Sequence, residues 1–223
     1  GHKRAMAYLD YGLSLGEGFI VITGELGAGK TTLVRNLFSK VDAHNLIAAQ
    51  LVSTQLDAED TLRSVAASFG LQHEGLTKSA LLKNLEEFLI AATRQGKRAL
   101  LVVDEAQNLT PRAVEELRML SNYQNNERSL MQTFLLGQPE VHGILQCPDM
   151  QQLRQRVVAS YHLGPIDADE TRGYIEHRLR TVGWQGNPTF DAEAFAALHH
   201  FAGGIPRRIN TTCDRLLLFG FLE

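Results

Sequence analysis

An α/β fold of three layers is what this sequence predicts: helices on both faces of a central parallel sheet, followed by a small all-helical domain. Three observations carry the prediction. Short apolar runs alternate with amphipathic helical stretches as far as residue 165, the pattern of a sheet covered on both sides. A glycine-rich segment, GELGAGKTT at residues 24–32, joins one such run to the helix that follows it. After Pro165 the apolar runs stop and only helical periodicity remains.

The opening residues GHKRAMAYLDYGL read as an amphipathic helix rather than a signal peptide, because they lack an apolar core. Residues 19–23 form a short buried strand. In the helix after the glycine segment, Leu33, Val34, Leu37, Phe38 and Val41 fall on one side, while Arg35, Asn36, Ser39 and Lys40 fall on the other. A second strand is expected at 46–52, with helices near 58–69 and 78–94. Residues 99–103 are unbroken in their apolarity, as suits a central parallel strand. Pro111 opens another helix at its first turn. Residues 132–136 make a fourth strand and 161–163 a fifth. Beyond Pro165, Asp167 with Glu170 resembles a capping box that opens a helix through about residue 181, and further helices are expected at 191–201 and 206–219. The expected domains are therefore a core at 1–165 and a helical unit at 166–223.

Composition excludes more than it assigns. The chain has 223 residues, 44% hydrophobic and 21% charged, with a formal charge of -3, which offers nucleic acid or anionic lipid no global attraction. Cys147 and Cys213 lie far apart and outside any ligand spacing, as expected of reduced thiols in a cytoplasmic chain. His199 and His200 lack the further ligands that zinc would need. No apolar run approaches the ~20 residues of a membrane span. The missing initiator methionine and the end inside an apolar helix are expected of a piece cut from a longer protein.

The glycine-rich segment has phosphate-binding spacing, Gly24-x-x-x-x-Gly29-Lys30-Thr31. Across Gly24, Glu25, Leu26, Gly27, Ala28 and Gly29, successive N–H groups can turn inward as an anion nest at a helix N-terminus. Lys30 is placed to reach the β and γ phosphates, the Thr31 hydroxyl to ligate Mg²⁺, and Thr32 to continue the helix beside the α phosphate. LLVVDEAQNL supplies the complement. Asp104 leaves a buried strand where a carboxylate can order a hydrated Mg²⁺, and Glu105 beside it can polarise a water for attack on the γ-phosphoryl group. The alternative is that both acids cap the next helix. With no N-K-x-D element, adenine is the expected base.

GELGAGKTT, DEAQNL at 104–109, EELRMLSN at 115–122, LLGQPE at 135–140, LRQRV at 153–157 and GIPRRIN at 204–210 resemble the AAA+ ATPases of the general secretion pathway protein A (ExeA) type, over essentially the whole chain. That group includes ATPases of exosortase and pilus-biogenesis loci. The resemblance implies a P-loop NTPase sandwich in which strand 132–136 inserts between the phosphate-loop strand and the Asp104 strand, with a helical lid after it. It implies that Gln138 is a sensor near the γ-phosphate, although by its own chemistry it is only an amide after a strand. Arg207 matches a second sensor on the lid. Arg156 resembles an arginine finger entering a neighbouring subunit, with Arg154 two residues away as the alternative; such a finger is worth roughly 10³ to 10⁵ in turnover. Ile175 and Ile205 would line the adenine pocket.

The reading is an ATP-binding and ATP-hydrolysing switch, slow as a monomer and assembling into nucleotide-dependent homo-oligomers. Its site would hold ATP and Mg²⁺, and occupancy would set the angle between core and lid. The resemblance implies service to an envelope secretion or surface-polymer export apparatus, with an inner-membrane or cell-envelope partner and a cytoplasmic location. Two alternatives remain open: a DNA-linked regulator of the transposition-ATPase kind, since DNA is not excluded, and an adaptor that holds ATP without turnover.

Overall fold

A computed structural model describes residues 2–40, 45–53, 57–125 and 128–222. Val41 and the side chains of Leu37, Phe38 and Lys40, expected on the two faces of the helix after the glycine loop, lie outside the described residues.

The elements in chain order are α1 (His2–Leu15), β1 (Phe19–Gly24), α2 (Lys30–Lys40), β2 (Leu46–Val52), α3 (Ala58–Ser68), α4 (Lys78–Arg94), β3 (Arg98–Asp104), α5 (Pro111–Leu120), β4 (Gln124–Asn125), β5 (Arg128–Ser129), β6 (Met131–Gly137), α6 (Val141–Gln146), α7 (Gln151–Arg154), β7 (Val157–Leu163), α8 (Ala168–Thr181), α9 (Ala192–Ala202) and α10 (Pro206–Leu222). Two compact units emerge. One comprises Arg4–Gly24 and Lys30–His162; the other is chiefly Glu25–Gly29 with the chain from Leu163 on.

In the first unit five strands form one sheet in the order β2-β3-β6-β1-β7, so β6 does insert between the strand that ends in Gly24 and the strand that ends in Asp104. The ladders β2–β3, β3–β6 and β6–β1 are parallel. Every residue of β1 and β6 is buried, the signature of strands covered on both faces. Because side chains alternate along a strand, Phe19, Val21, Leu101, Val103 and Leu135 share one face. There they meet Leu62 and Val65 of α3, Leu81, Leu85 and Leu89 of α4, and Val114 and Leu117 of α5. Ile20 points the other way, toward α1, where a Cβ on Gly12 would come within 2.3 Å of its Cδ1. Side-chain caps start the helices: Asp57 accepts from the Asp60 N–H and Thr110 from the Ala113 N–H, with Pro111 at the first turn of α5.

The fifth strand is longer than the expected 161–163, running over Val157–Leu163 with alternating exposure. As the edge of the sheet beside β1 it is only half covered, so it lacks the continuous apolar run that announces a central strand. The short hairpin β4–β5 and the brief helices α6 and α7 have no counterpart in the sequence-based expectation.

In the second unit α8, α9 and α10 pack Ile175, Phe195, Leu198, Ile209 and Cys213 around Ile166. The expected capping box is present: Glu170 N–H donates to Asp167 Oδ1 at 2.8 Å, and Asp167 N–H donates back to the Glu170 carboxylate at 3.3 Å. His199 contributes here as a packing residue, its Nδ1 lying 2.9 Å from the Thr171 hydroxyl.

Candidate functional site

β1 delivers the chain at Gly24, and α2 begins at Lys30, six residues on. Between them Ala28 N–H donates to the Glu25 carbonyl at 3.0 Å, and Gly27 and Gly29 take φ values of 83° and 95°. Left-handed glycines alternating with ordinary residues turn successive amides to one side, which is how a backbone makes an anion nest. The side chains of Glu25 and Leu26 are exposed, so their contribution to such a nest is through the backbone. Gly27 is further constrained by its neighbour: Arg207 N–H donates to its carbonyl at 3.2 Å, and a Cβ on Gly27 would lie 2.5 Å from the Arg207 Cβ. Only glycine fits there. The Arg207 side chain is exposed.

Lys30 is buried, and its ammonium donates to the Gly24 carbonyl at 2.6 Å. The next residue reaches across the sheet. Thr31 Oγ1 donates to Asp104 Oδ2 at 2.8 Å, joining two segments that lie 73 positions apart in the sequence. Asp104 is only 7% exposed at the end of β3, and its other oxygen accepts the Glu105 N–H at 3.0 Å. Thr32 is exposed on α2.

Glu105 is the one non-glycine residue with positive φ among the described residues, at φ 55° and ψ 40°. Such a conformation costs on the order of 1 kcal/mol or more and persists where the surroundings enforce it. Here the enforcement is visible in three hydrogen bonds. Its N–H is held by Asp104, its carbonyl accepts the Asn108 N–H at 2.9 Å, and its carboxylate accepts from Gln107 Nε2 at 2.6 Å. The capping alternative fails for Glu105, whose side chain makes no capping bond to the short 3₁₀ turn at Ala106–Asn108.

Gln138 follows β6, and its backbone N–H donates to Gln107 Oε1 at 3.0 Å. The parallel register sets Gly137 opposite Thr23 and Leu135 opposite Val103, so the loop holding Gln138 leaves the sheet level with the ends of β1 and β3. Of the arginines, Arg156 directs NH1 to the Ser121 carbonyl (3.1 Å) and hydroxyl (2.9 Å), and is half-buried. Arg154 is exposed, with NH1 on the carbonyls of Leu145 (2.6 Å) and Cys147 (3.0 Å). Ile175 sits in the core of the second unit, and Ile205 is half-buried.

Two groups of residues here have no warning in the sequence. Gln107 lies inside a recognised motif yet has no spacing that singles it out. Thr23, fully buried, has its hydroxyl 3.2 Å from His142 Nε2 and 3.1 Å from His162 Nδ1, tying β1 to α6 and β7. As a threonine in an apolar strand it reads as a core residue.

The donor set fits a nucleoside polyphosphate with a cation. A buried carboxylate and a hydroxyl, 2.8 Å apart, are hard oxygen donors few enough to leave a Mg²⁺ most of its waters and room for phosphate oxygens. The buried Lys30 ammonium, on the residue before Thr31, is a cation of the kind a phosphate needs, and Gly27 and Gly29, in their own unit, have the left-handed backbone from which anion nests are made. Among the described residues no helix is long and apolar enough to cross a membrane.

Comparison with known proteins agrees with this arrangement. The AAA domain family matches residues 14–145. Over 221 residues, 99% of this chain and 40% of the relative, the chain is 39% identical to general secretion pathway protein A of Aeromonas hydrophila. Among solved structures it is similar to Aeropyrum pernix ORC2 in its ADP form, with a TM-score of 0.72 and 16% identity over 98% of this chain and 63% of that one. It is also similar to Cdc6p from Pyrobaculum aerophilum (TM-score 0.68, 15% identity, 93% and 59% covered) and to Aeropyrum pernix ORC1 in complex with DNA (0.64, 18%, 93% and 56%). The chain spans less than two thirds of the length of each of these proteins, and at such identities the solved structures speak to the fold alone. Since the phosphate loop, the acidic strand end and the inserted β6 all lie within the matched residues, this chain belongs to the AAA domain family of P-loop ATPases and resembles, within it, the ATPase of general secretion pathway protein A.

Proposed function

We propose that the chain binds Mg-ATP and hydrolyses it slowly, as a switch whose turnover rises when copies assemble. The observation that supports this reading best is the Thr31–Asp104 hydrogen bond of 2.8 Å, which joins, from distant parts of the sequence, the hydroxyl and the carboxylate that would share a cation. The amides of residues 24–29 and the ammonium of Lys30 hold the polyphosphate, and Thr31 and Asp104 hold the cation. Mg²⁺, when bound, offsets the charge that develops on the β and γ oxygens. Glu105 orients a water in line with the γ-phosphorus. As the water oxygen bonds to phosphorus, the bond to the bridging β–γ oxygen breaks, ADP leaves, and the water's proton passes by way of the Glu105 carboxylate to solvent or phosphate. Gln138, the residue after β6, would sense the γ-phosphate from the strand that lies between β1 and β3.

For the finger, Arg154 suits a neighbouring copy better than Arg156 on exposure alone, since Arg156 is half-buried and both guanidinium groups already hold oxygens of their own chain, Arg154 those of Leu145 and Cys147 and Arg156 those of Ser121. Arg207 would read the occupied loop through its bond to Gly27. The identity to general secretion pathway protein A supports a role in assembling an envelope secretion or export system, on the cytoplasmic side where ATP is available.

The test is turnover and nucleotide affinity in three proteins across a range of protein concentration. Glu105→Gln is expected to bind Mg-ATP like wild type and to lose turnover, and Lys30→Ala to lose binding. Equal turnover in wild type and Glu105→Gln would leave a holding adaptor as the better account.

A further inference from the structure

We propose that Gln107 is a positioning residue that couples the Glu105 carboxylate to the backbone at Gln138, so that the loop after β6 sets the orientation of the hydrolytic carboxylate. The inference rests on the hydrolytic role of Glu105 proposed above and adds a residue to which nothing in the motif assigns a task.

Four observations converge. Gln107 Nε2 donates to Glu105 Oε2 at 2.6 Å, a short bond to an anionic acceptor. Gln107 Oε1 accepts the Gln138 N–H at 3.0 Å. The second bond fixes the sense of the first. A backbone N–H can only donate, so the amide oxygen must face Gln138 and the NH₂ must face Glu105, and the usual ambiguity of a glutamine amide does not arise. Gly137 makes room for the bridge, because a Cβ there would stand 2.8 Å from Gln107 Oε1 and 2.4 Å from Val141 Cγ2. Lastly, Glu105 is the strained residue of the site, and a left-handed residue flanked by a two-ended tether has far fewer orientations than a free side chain.

The consequence is a mechanical link. Gln138 directly follows the strand that lies between β1 and β3, so a displacement of its backbone N–H moves Gln107 Oε1, which accepts from it, and with the Gln107 amide the carboxylate. Loss of one hydrogen bond at a reacting group that must be aligned within about 1 Å can cost up to about a hundredfold in rate.

The experiment measures kcat and KM for Mg-ATP, and direct Mg-ATP affinity, in the 223-residue chain carrying Gln107→Leu, Gln107→Glu, or either together with Glu105→Gln. Gln107→Leu is expected to lower kcat between about ten- and a hundredfold with affinity little changed. Gln107→Glu separates positioning from mere support. It keeps an acceptor for the Gln138 N–H but offers no donor to Glu105, so turnover should fall as in Gln107→Leu. In the Glu105→Gln background neither change should lower the residual rate further. Wild-type kcat in Gln107→Glu, or losses matched by an equal loss of Mg-ATP affinity, would overturn the inference while leaving Glu105-dependent hydrolysis intact. A wild-type chain with no Glu105-dependent turnover would overturn the proposed function, and this inference with it.

Discussion

Thr31→Val isolates the bond on which the site is built. Valine keeps the shape of threonine and removes the donor, so Asp104 Oδ2 loses the 2.8 Å bond while its partner oxygen keeps the Glu105 N–H. A hydrogen bond to a charged group contributes about 1.5–3 kcal/mol. Asp104 is buried but Thr31 is half-exposed, and water entering from that side recovers part of the loss, leaving about 1.5–2 kcal/mol. At this chain length each kcal/mol moves Tm by about 2–4 °C, so a fall of roughly 3–8 °C is expected in EDTA without nucleotide. Thr31→Ser, which restores the hydroxyl, should recover most of it. With saturating Mg-ATP the gap between wild type and Thr31→Val should widen, because wild type alone keeps the proposed hydroxyl ligand and a bound ligand at free concentration c stabilises by RT ln(1 + c/Kd), which is larger for the tighter binder. Thermal unfolding followed by far-UV circular dichroism reads both quantities. A Thr31→Val protein that melts with wild type in EDTA, and is raised equally by Mg-ATP, would refute the shared role of Thr31 and Asp104.

Gly27→Ala places a methyl 2.5 Å from the Arg207 Cβ at a φ of 83°, so the loop must rearrange, and calorimetry should show Mg-ATP binding abolished while the circular dichroism spectrum is kept. Arg154→Ala should flatten the rise of ATPase rate with protein concentration, with only a small fall in Tm because its bonds to the Leu145 and Cys147 carbonyls are exposed to water; Arg156→Ala should lower Tm more and leave the concentration dependence in place, because its half-buried guanidinium holds Ser121. Thr23→Val removes the hydroxyl shared by His142 and His162. It should lower stability in urea by about 1–2 kcal/mol, because each lost bond contributes about 1 kcal/mol and the exposed His162 rehydrates. In the native protein Cys213 should resist iodoacetamide at pH 8, since burial, and then the charge of Asp214, push its thiol upward in pKa; labelling mapped by mass spectrometry at rates equal to unfolded protein would contradict its place in the core.

Legibility in the sequence follows the physics of each part. β1, β3 and β6 announce themselves because a parallel strand covered on both faces must be apolar at nearly every position. β7 breaks that rule at the sheet edge, where alternating exposure admits Ser160 and His162, and only its last residues read as strand. α6 and α7 are too short for a helical period to show. The same division runs through the site. Lys30, Thr31 and Asp104 are readable because phosphate and cation chemistry demands those groups next to a tight turn and at a strand end. Gln107 and Thr23 are not, because their roles arise only when β6, α6 and β7 are brought beside them.

The placement of β6 explains why the two halves of the site are spaced as they are. Neighbouring strands lie about 4.8 Å apart, so a strand inserted between β1 and β3 separates the strand that ends at Gly24 from the strand that ends at Asp104 by roughly 10 Å. Directly paired strands would bring Gly24 and Glu105 too close for a phosphoryl group and an attacking water to stand between them. With β6 in the gap, Thr31 and Asp104 can still meet side chain to side chain, as their 2.8 Å bond shows, while Gln138 follows the strand that lies between β1 and β3. Insertion therefore does two things at once. It sets the spacing in which the proposed γ-phosphate and water would stand, and the residue that follows it, Gln138, supplies the backbone N–H that holds Gln107, so that the strand which would make room for the reaction also leads into the tether of the carboxylate proposed to run it.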